Sequence, residues 1–179
     1  MVSDTVGVPE PSEYAEWYRG YVALAAGSDI LALLAEQVAA VRQTFGNLTP
    51  TQERHRYAPG KWSVRQVLGH VIDAERVFGY RAVSFARGST ANLPGFDENA
   101  WAEQARADEC EVAGQLDEFE HLRLSHVAMF RHLPAETWRH TGVANTAAVS
   151  VRALAFIMAG HLAHHLAILR ERYGIRPAS

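Results

Sequence analysis

Four long segments with helical spacing of apolar residues dominate this sequence and leave little of the chain for any other architecture. Apolar side chains recur every three or four residues over about residues 29–45, 64–87, 108–132 and 151–173. Strand-like alternation is nearly absent, and the stretch 138–149 is predicted to be a loop. Residues 97–104 form either a separate helical turn or the start of the third segment. Because each helix has an apolar face to bury, the pattern predicts an all-α four-helix bundle.

Cap residues agree with these boundaries. Ser28 is a plausible N-cap of the first helix and Gly46 a plausible end. Ser63, with Gln66 three residues later, has the spacing of a capping box at the start of the second helix. Ser150 is placed to cap the fourth helix. The connections differ in length, which argues against a symmetric up-down-up-down bundle.

Composition excludes several classes of protein. The chain has 179 residues, with 17 basic and 20 acidic residues, so its net charge of −3 gives no general attraction to nucleic acid or anionic lipid. No helix-turn-helix or zinc-finger pattern is present either. Cys110 is the single cysteine, which excludes an intrachain disulfide and a cysteine-based zinc cluster, and it is predicted to be an ordinary buried or boundary residue. With no apolar run of 18 residues and no signal-peptide pattern, we expect a cytoplasmic protein that does not cross a membrane.

The predicted domain organisation has three parts. Residues 1–27 form an N-terminal arm, residues 28–174 the bundle, and residues 175–179 a C-terminal tail. The arm carries four aromatic residues at roughly helical spacing, namely Tyr14, Trp17, Tyr18 and Tyr21. We expect these rings to pack against the domain or a partner subunit, in preference to forming a ligand site.

The placement of the histidines indicates a metal site. His161 and His165 are four residues apart on the inward stripe of the fourth helix, so their imidazoles can share one ion. His70 falls on an apolar face of the second helix and can supply a third imidazole from across the bundle. His164 is an alternative to His165, and a single inward histidine is more often just a hydrogen-bonded core residue. Four of the remaining histidines are predicted to be solvated, namely His55, His121, His132 and His140, whereas His126 is considered separately below.

Three further polar residues lie on or near these faces. Asp73 follows His70 by three residues and either orients a metal ligand or forms a surface ion pair. Arg123 lies on the inward stripe of the third helix, where it forms a structural ion pair, with Asp73 or Glu75 as partner, or grips a carboxylate of a cofactor or substrate. His126, on the same stripe, is a fourth ligand, a general base or a buried hydrogen-bonding residue.

Two longer motifs resemble those of the DinB-like (damage-inducible) family of metal-dependent enzymes. They are KWSVRQVLGHVIDAER at residues 61–76 and AGHLAHHLAILRERY at residues 159–173, and the similarity extends to residues 80–81, 93–97, 122–123 and 133–134. The resemblance implies an up-down-down-up four-helix bundle, a homodimer, and a metal held by His70, His161 and His165. One departure stands out, because His126 occupies a position where the family pattern has a small hydroxyl residue.

The same resemblance narrows the expected activity. Relatives include S-transferases that use bacillithiol or mycothiol and a mycothiol-dependent maleylpyruvate isomerase. Three neutral imidazoles leave a divalent ion, with zinc or nickel expected and iron or manganese as alternatives, at least one open position for water, a thiol or a substrate. The sequence therefore predicts a thiol-dependent transferase or a related hydrolase acting on a small molecule. A non-catalytic metal-binding stress protein and an interaction module that binds through the aromatic arm are the alternatives.

Overall fold

The computed structural model describes residues 6–177, so the first five residues of the predicted arm and the last two of the predicted tail lie outside it. The four long helices of the sequence pattern are present as α2 (Ile30–Phe45), α4 (Val64–Ala86), α6 (Val112–Arg131) and α7 (Val151–Arg172). Three shorter helices accompany them: α1 (Arg19–Ala25), α3 (Pro50–Glu53) and α5 (Glu98–Gln104). Three short strands complete the fold: β1 (Asn92–Leu93), β2 (Thr141–Ala144) and β3 (Ala147–Ser150).

The long helices form the predicted up-down-down-up four-helix bundle. One contact fixes each relative direction: Arg42 with Asp117, Gly79 with His126, and Trp62 with Tyr173. The first joins the end of α2 to the start of α6, so these helices are antiparallel. The second joins the later parts of α4 and α6, which run parallel, and the third joins the start of α4 to the end of α7, which are antiparallel. Both α6 and α7 pack against α2 and α4, which lie on opposite corners of the bundle.

A buried polar network connects the four long helices at mid-height. Glu75 on α4 accepts two hydrogen bonds from the Arg123 guanidinium on α6, each 2.8 Å long. Arg123 also donates to Gln37 Oε1 on α2 at 2.6 Å, and Gln37 Nε2 donates to the carbonyl of Ala159 on α7 at 2.8 Å. His126 Nδ1 lies 2.9 Å from Glu75 Oε1. Because every one of these charged groups has a partner, the network tolerates burial.

The N-terminal segment packs on the bundle of its own chain. Glu13 accepts hydrogen bonds from Ser150 Oγ and from the Arg152 guanidinium at the start of α7. Farther along, α1 lies so close to α7 that a Cβ at Gly160 would be 1.8 Å from the carbonyl oxygen of Tyr21. Glycine at residue 160 is therefore what lets α1 approach α7.

Three local expectations are corrected. The N-cap of α2 is Asp29, not Ser28, because the Asp29 carboxylate accepts the amide hydrogens of the first helical turn. The helix α6 begins at Val112 rather than near residue 108, after a 3₁₀ turn at Ala107–Glu109. Cys110, which follows that turn, is exposed rather than buried or at a boundary.

The stretch predicted to be a loop contains a β-hairpin. β2 and β3 pair antiparallel across a tight turn in which Asn145 and Thr146 both have positive φ, and β1 pairs parallel with β2. The sequence prediction was wrong here because the strands are four residues or shorter and the turn lacks a glycine. The separate helical turn considered for residues 97–104 is the helix α5.

The helix α7 alone is long and apolar enough to cross a membrane by length and composition, within the described part of the chain. Its apolar character has a packing explanation. It contacts α1, α2 and α4, and most of its residues are buried in the bundle.

Candidate metal centre

Three imidazoles converge inside the bundle. His161 and His165 lie one turn apart on α7, and His70 faces them from the antiparallel helix α4. His161 Nε2 is 3.0 Å from His70 Nε2 and 3.1 Å from His165 Nε2. All three side chains are buried. The structure thus brings together the three histidines that the sequence singled out.

The spacing of these nitrogen atoms suits a shared cation better than hydrogen bonds. A neutral imidazole nitrogen carries one proton or one lone pair, so His161 Nε2 cannot form two good hydrogen bonds to two other ring nitrogens. Nitrogens that bind one ion at about 2.0–2.1 Å, with angles between a right angle and the tetrahedral value, lie about 2.9–3.4 Å apart. The observed separations of 3.0 and 3.1 Å fall in this interval.

The surroundings keep the three rings neutral, which is the form that binds a metal. Burial lowers the pKa of His70 to about 4 and that of His165 to about 3. Burial, together with the neighbouring histidines, lowers the pKa of His161 well below its ordinary value. At neutral pH each ring therefore presents a lone pair and no charge. Within residues 6–177, this is the one group of three or more histidine, cysteine or acidic side chains close enough to share an ion.

A cavity of about 280 Å³ opens beside His70 and His161. One wall comes from the N-terminal segment, through Trp17, Tyr18 and Tyr21. The other walls come from α4, from the residues before and at the start of α5, and from the β-hairpin turn: they are Ala74, Phe78, Arg81, Gly95, Phe96, Glu98 and Asn145. A smaller cavity of about 220 Å³ borders His165 and also has Glu98 in its wall. Each of the three histidines therefore borders a cavity large enough for a small molecule.

The other candidate residues have different positions. His164 is partly exposed, with its ring 5.4 Å from that of Tyr21, and it lies outside the cluster of three. Asp73 is 3.9 Å from Arg76 and lines a groove between α4 and α6 instead of the cavity at His70, which favours its ion-pair alternative. Burial raises the pKa of the Asp73 carboxyl. The four histidines predicted to be solvated, His55, His121, His132 and His140, are exposed.

Arg123 and His126 belong to the buried network with Glu75. The Arg123 side chain is fully buried and makes the structural ion pair that was one of its two predicted roles, with Glu75 as partner. His126 is held by the same carboxylate, which matches the buried hydrogen-bonding alternative. Its ring packs over Gly79, where a Cβ would lie 2.1 Å from His126 Nε2. The site therefore keeps three histidines and no fourth histidine ligand among the described residues.

Sequence reasoning did not assign to the site four polar residues that line the cavity, and it expected one of them, Tyr21, to pack on the domain in preference to forming a ligand site. Tyr21, Arg81, Glu98 and Asn145 come from four separate parts of the chain, so no local spacing relates them. Arg81 and the loop before α5 lie within the segments that resemble the family, which is the only signal the sequence offers for them. Burial, aided by the nearby Glu98 carboxylate, raises the pKa of the Tyr21 hydroxyl.

Comparisons with known proteins agree with the fold. The structure is similar to that of YfiT from Bacillus subtilis, described as a probable metal-dependent hydrolase with an unusual four-helix bundle topology. The two share 21% sequence identity with a TM-score of 0.75, and the match covers 94% of each chain. No curated protein sequence matches the chain significantly. The family model of the DinB superfamily matches residues 10–169, and the chain therefore belongs to the DinB superfamily.

Proposed function

We propose that this protein is a metal-dependent enzyme acting on a small electrophilic molecule, either as an S-transferase that uses a low-molecular-weight thiol such as bacillithiol or mycothiol, or as a related hydrolase. The observation that carries the proposal is the convergence of three neutral imidazoles, two of which line the cavity of about 280 Å³. A structural metal site normally has four protein ligands, whereas a catalytic one keeps a position for water or substrate.

His70, His161 and His165 would hold the ion through Nε2. A divalent cation there supplies a Lewis acid and lowers the pKa of a water or thiol that it binds. Imidazole donors suit zinc and nickel, and also iron. The protein's part is to keep the three donors neutral and fixed, since α4 and α7 are packed helices of the bundle.

Two cavity residues are placed to handle protons. Tyr21, with its raised pKa, keeps its hydroxyl proton at neutral pH and can donate a hydrogen bond to a substrate oxygen. Glu98 is the one acidic residue, among those described, in the walls of the cavities beside His161 and His165, and it lines both of them. Its carboxylate is therefore the group that would accept the proton of an incoming nucleophile. These roles apply equally to transfer of a thiol and to hydrolysis.

Metal analysis of the purified protein, with no metal added, tests the site. We expect about one divalent ion per chain, lost in His161→Ala and His70→Ala and retained in the matched control His164→Ala. His164 is the right control because it is adjacent on α7 but outside the cluster. Metal content that His161→Ala leaves unchanged would overturn the proposal.

Catalysis needs its own assay. The metal-loaded protein is incubated with monochlorobimane and bacillithiol or mycothiol, and in parallel with a p-nitrophenyl ester without thiol. Turnover that disappears in His161→Ala and persists in His164→Ala supports the enzyme, and the active arm distinguishes transferase from hydrolase. A stoichiometric ion with no turnover in either arm favours the alternative, a non-catalytic metal-binding bundle.

The expected cytoplasmic homodimer remains a proposal from the family resemblance. The three histidines come from one chain, so the proposed ligand set does not require a second copy. Light scattering coupled to size-exclusion chromatography measures the oligomeric state.

A further inference from the structure

Arg81 on α4 is a buried cation without an anionic partner. The residue is 3% exposed, and its guanidinium donates one hydrogen bond, from Nη2 to the carbonyl oxygen of Pro94 at 2.8 Å. Within residues 6–177, no carboxylate lies within 4.0 Å of its nitrogen atoms. A guanidinium has five N–H donors and stays charged at every physiological pH, so most of its capacity to bind an anion is unused.

The other two buried arginines show what this fold does with such a charge. Arg123 is bound by Glu75 through two hydrogen bonds. Arg152 is bound by the carboxylate of Glu13. Burying a cation costs free energy that an anion normally offsets. Arg81 departs from this pattern, and it does so at the wall of a cavity.

That cavity is the one beside His70 and His161. Arg81 lines it together with His70 and His161. Phe78 lies between the two groups, with its ring centroid 5.9 Å from Arg81 Cζ and 5.7 Å from the centroid of the His161 ring. A small molecule in this cavity can therefore contact Arg81 at one end and His70 or His161 at the other.

We propose that Arg81 binds a carboxylate of the substrate and so orients the substrate toward the three-histidine site. This inference rests on the proposed function and specifies the substrate class of the enzyme as a small organic acid. The planar fork of the guanidinium matches the two oxygens of a carboxylate. The substrate's anion would supply the partner that the protein itself does not provide. Glu98, in the same cavity, is exposed at the start of α5 and makes no ion pair with Arg81.

A third cavity indicates what the acid carries besides its charge. This cavity, of about 310 Å³, also touches Arg81, and its walls are mostly apolar: Val77, Tyr80, Leu93, Pro94, Phe96 and Trp101. A carboxylate held at Arg81 can thus place an aromatic or aliphatic group against these side chains. Benzoate combines both features, and benzamide is its neutral counterpart of the same shape.

Calorimetric titration of benzoate into metal-free, folded protein tests the proposal without relying on activity. Removing the metal prevents a carboxylate from binding an ion at the histidines. We expect benzoate to bind wild type, benzamide to bind at least tenfold more weakly, and Arg81→Gln to lose at least tenfold in benzoate affinity. Arg42→Gln is the matched control, because Arg42 is a paired arginine on the outer surface and should leave benzoate binding unchanged. Arg81→Lys keeps the charge and loses the fork, so intermediate affinity is expected.

Two results would overturn the inference. One is equal benzoate affinity in wild type and Arg81→Gln, and the other is no benzoate binding to folded wild type. If Arg81→Gln does not fold, Arg81→Lys decides, since an affinity equal to wild type would contradict recognition by the fork. Metal content is measured in parallel. If the protein holds about one metal ion per chain but does not bind benzoate, the role of Arg81 is refuted and the proposed function is not. If the protein holds no metal but binds benzoate in a way that depends on Arg81, the proposed function is refuted and the role of Arg81 is not.

Discussion

Arg123→Met is expected to destabilise the protein strongly, because it leaves the Glu75 carboxylate in the core with His126 as its one remaining partner. Arg123 and Glu75 are 0% and 2% exposed and are joined by two hydrogen bonds of 2.8 Å, while a third bond of 2.6 Å joins Arg123 to Gln37. Removing one member of such a buried pair costs about 3–5 kcal/mol. For a chain of this length, about 2–4 °C of melting temperature corresponds to each kcal/mol, so Tm should fall by roughly 6–20 °C.

The double variant separates the ion pair from packing. Glu75→Met alone leaves the Arg123 guanidinium buried without an anionic partner and should lower the free energy of unfolding by a similar amount. The double variant Glu75→Met/Arg123→Met instead replaces both charges with apolar side chains of similar length. The double variant should therefore be at least about 3 kcal/mol more stable than the sum of the single effects predicts. Urea unfolding followed by circular dichroism gives each free energy, with the slope m checked for constancy.

The comparison is Arg42→Met, which breaks an ion pair on the surface between α2 and α6. Its arginine side chain is 44% exposed, so a cost below about 1 kcal/mol is expected. The reasoning about the core network fails if Arg123→Met costs as little as Arg42→Met, or if the two core substitutions are additive.

Three further outcomes follow from the structure. Gly160→Ala should cost about 1–3 kcal/mol in urea unfolding, since its Cβ would meet a backbone carbonyl of α1 at 1.8 Å. Burial raises the pKa of Glu13, but hydrogen bonds from Arg152, Ser150 and the Glu10 backbone outweigh it and bring the pKa down to about 2. The ionised carboxylate therefore stabilises the fold above pH 4.5, by about 1–2 kcal/mol after solvent screening, and this stability is lost as pH falls toward 2. Glu13→Gln should remove the dependence of stability on pH in that interval. In metal-free protein, NMR titration should show His70 and His165 unprotonated above pH 5, with stability declining as pH falls below 6.5 because the unfolded chain takes up protons first.

Each of these has a matched comparison. Gly20→Ala, on α1, should cost little because, apart from its chain neighbours and the backbone of its own helix, no atom lies within 4 Å of where the added methyl group would be. Equal losses for the two glycines would contradict the close-approach argument. An acid-stability profile that Glu13→Gln leaves unchanged would remove the Arg152 ion pair from the account of the N-terminal segment. Protonation of either imidazole near pH 6.5 would show that burial does not control its pKa.

The long helices were predictable because the apolar residues that each of them buries recur every three or four positions in the sequence. His161 and His165 follow from that spacing alone, as their separation by four residues fixes them on one side of α7. His70 required the further assumption that α4 faces α7, which the bundle fulfils. The N-cap of α2 differed by one residue because Ser28 and Asp29 are both good caps, and backbone dihedrals decide between them.

The roles of the two inward arginines could not be told apart from sequence. Arg81 and Arg123 both lie at buried helical positions, where either one could meet an acid. Arg81 shares α4 with Glu75 but is six residues away and does not face it, whereas contact between Arg123 and Glu75 depends on how α4 and α6 are aligned, a parallel pairing set by contacts far apart in the chain. The hairpin escaped prediction for a related reason, since strands of four residues gain their stability from neighbours rather than from their own pattern.

The wall formed by Trp17, Tyr18 and Tyr21 has a consequence for how this scaffold diversifies. The proposed ligands sit on two bundle helices, whereas much of the enclosure is contributed by a stretch that precedes the bundle and is fastened to α7 by Glu13. The proposed ligands and this part of the enclosure thus come from different parts of the chain. We expect that grafting a different leading stretch onto the same helices would change the shape of the cavity while the three histidines keep their positions.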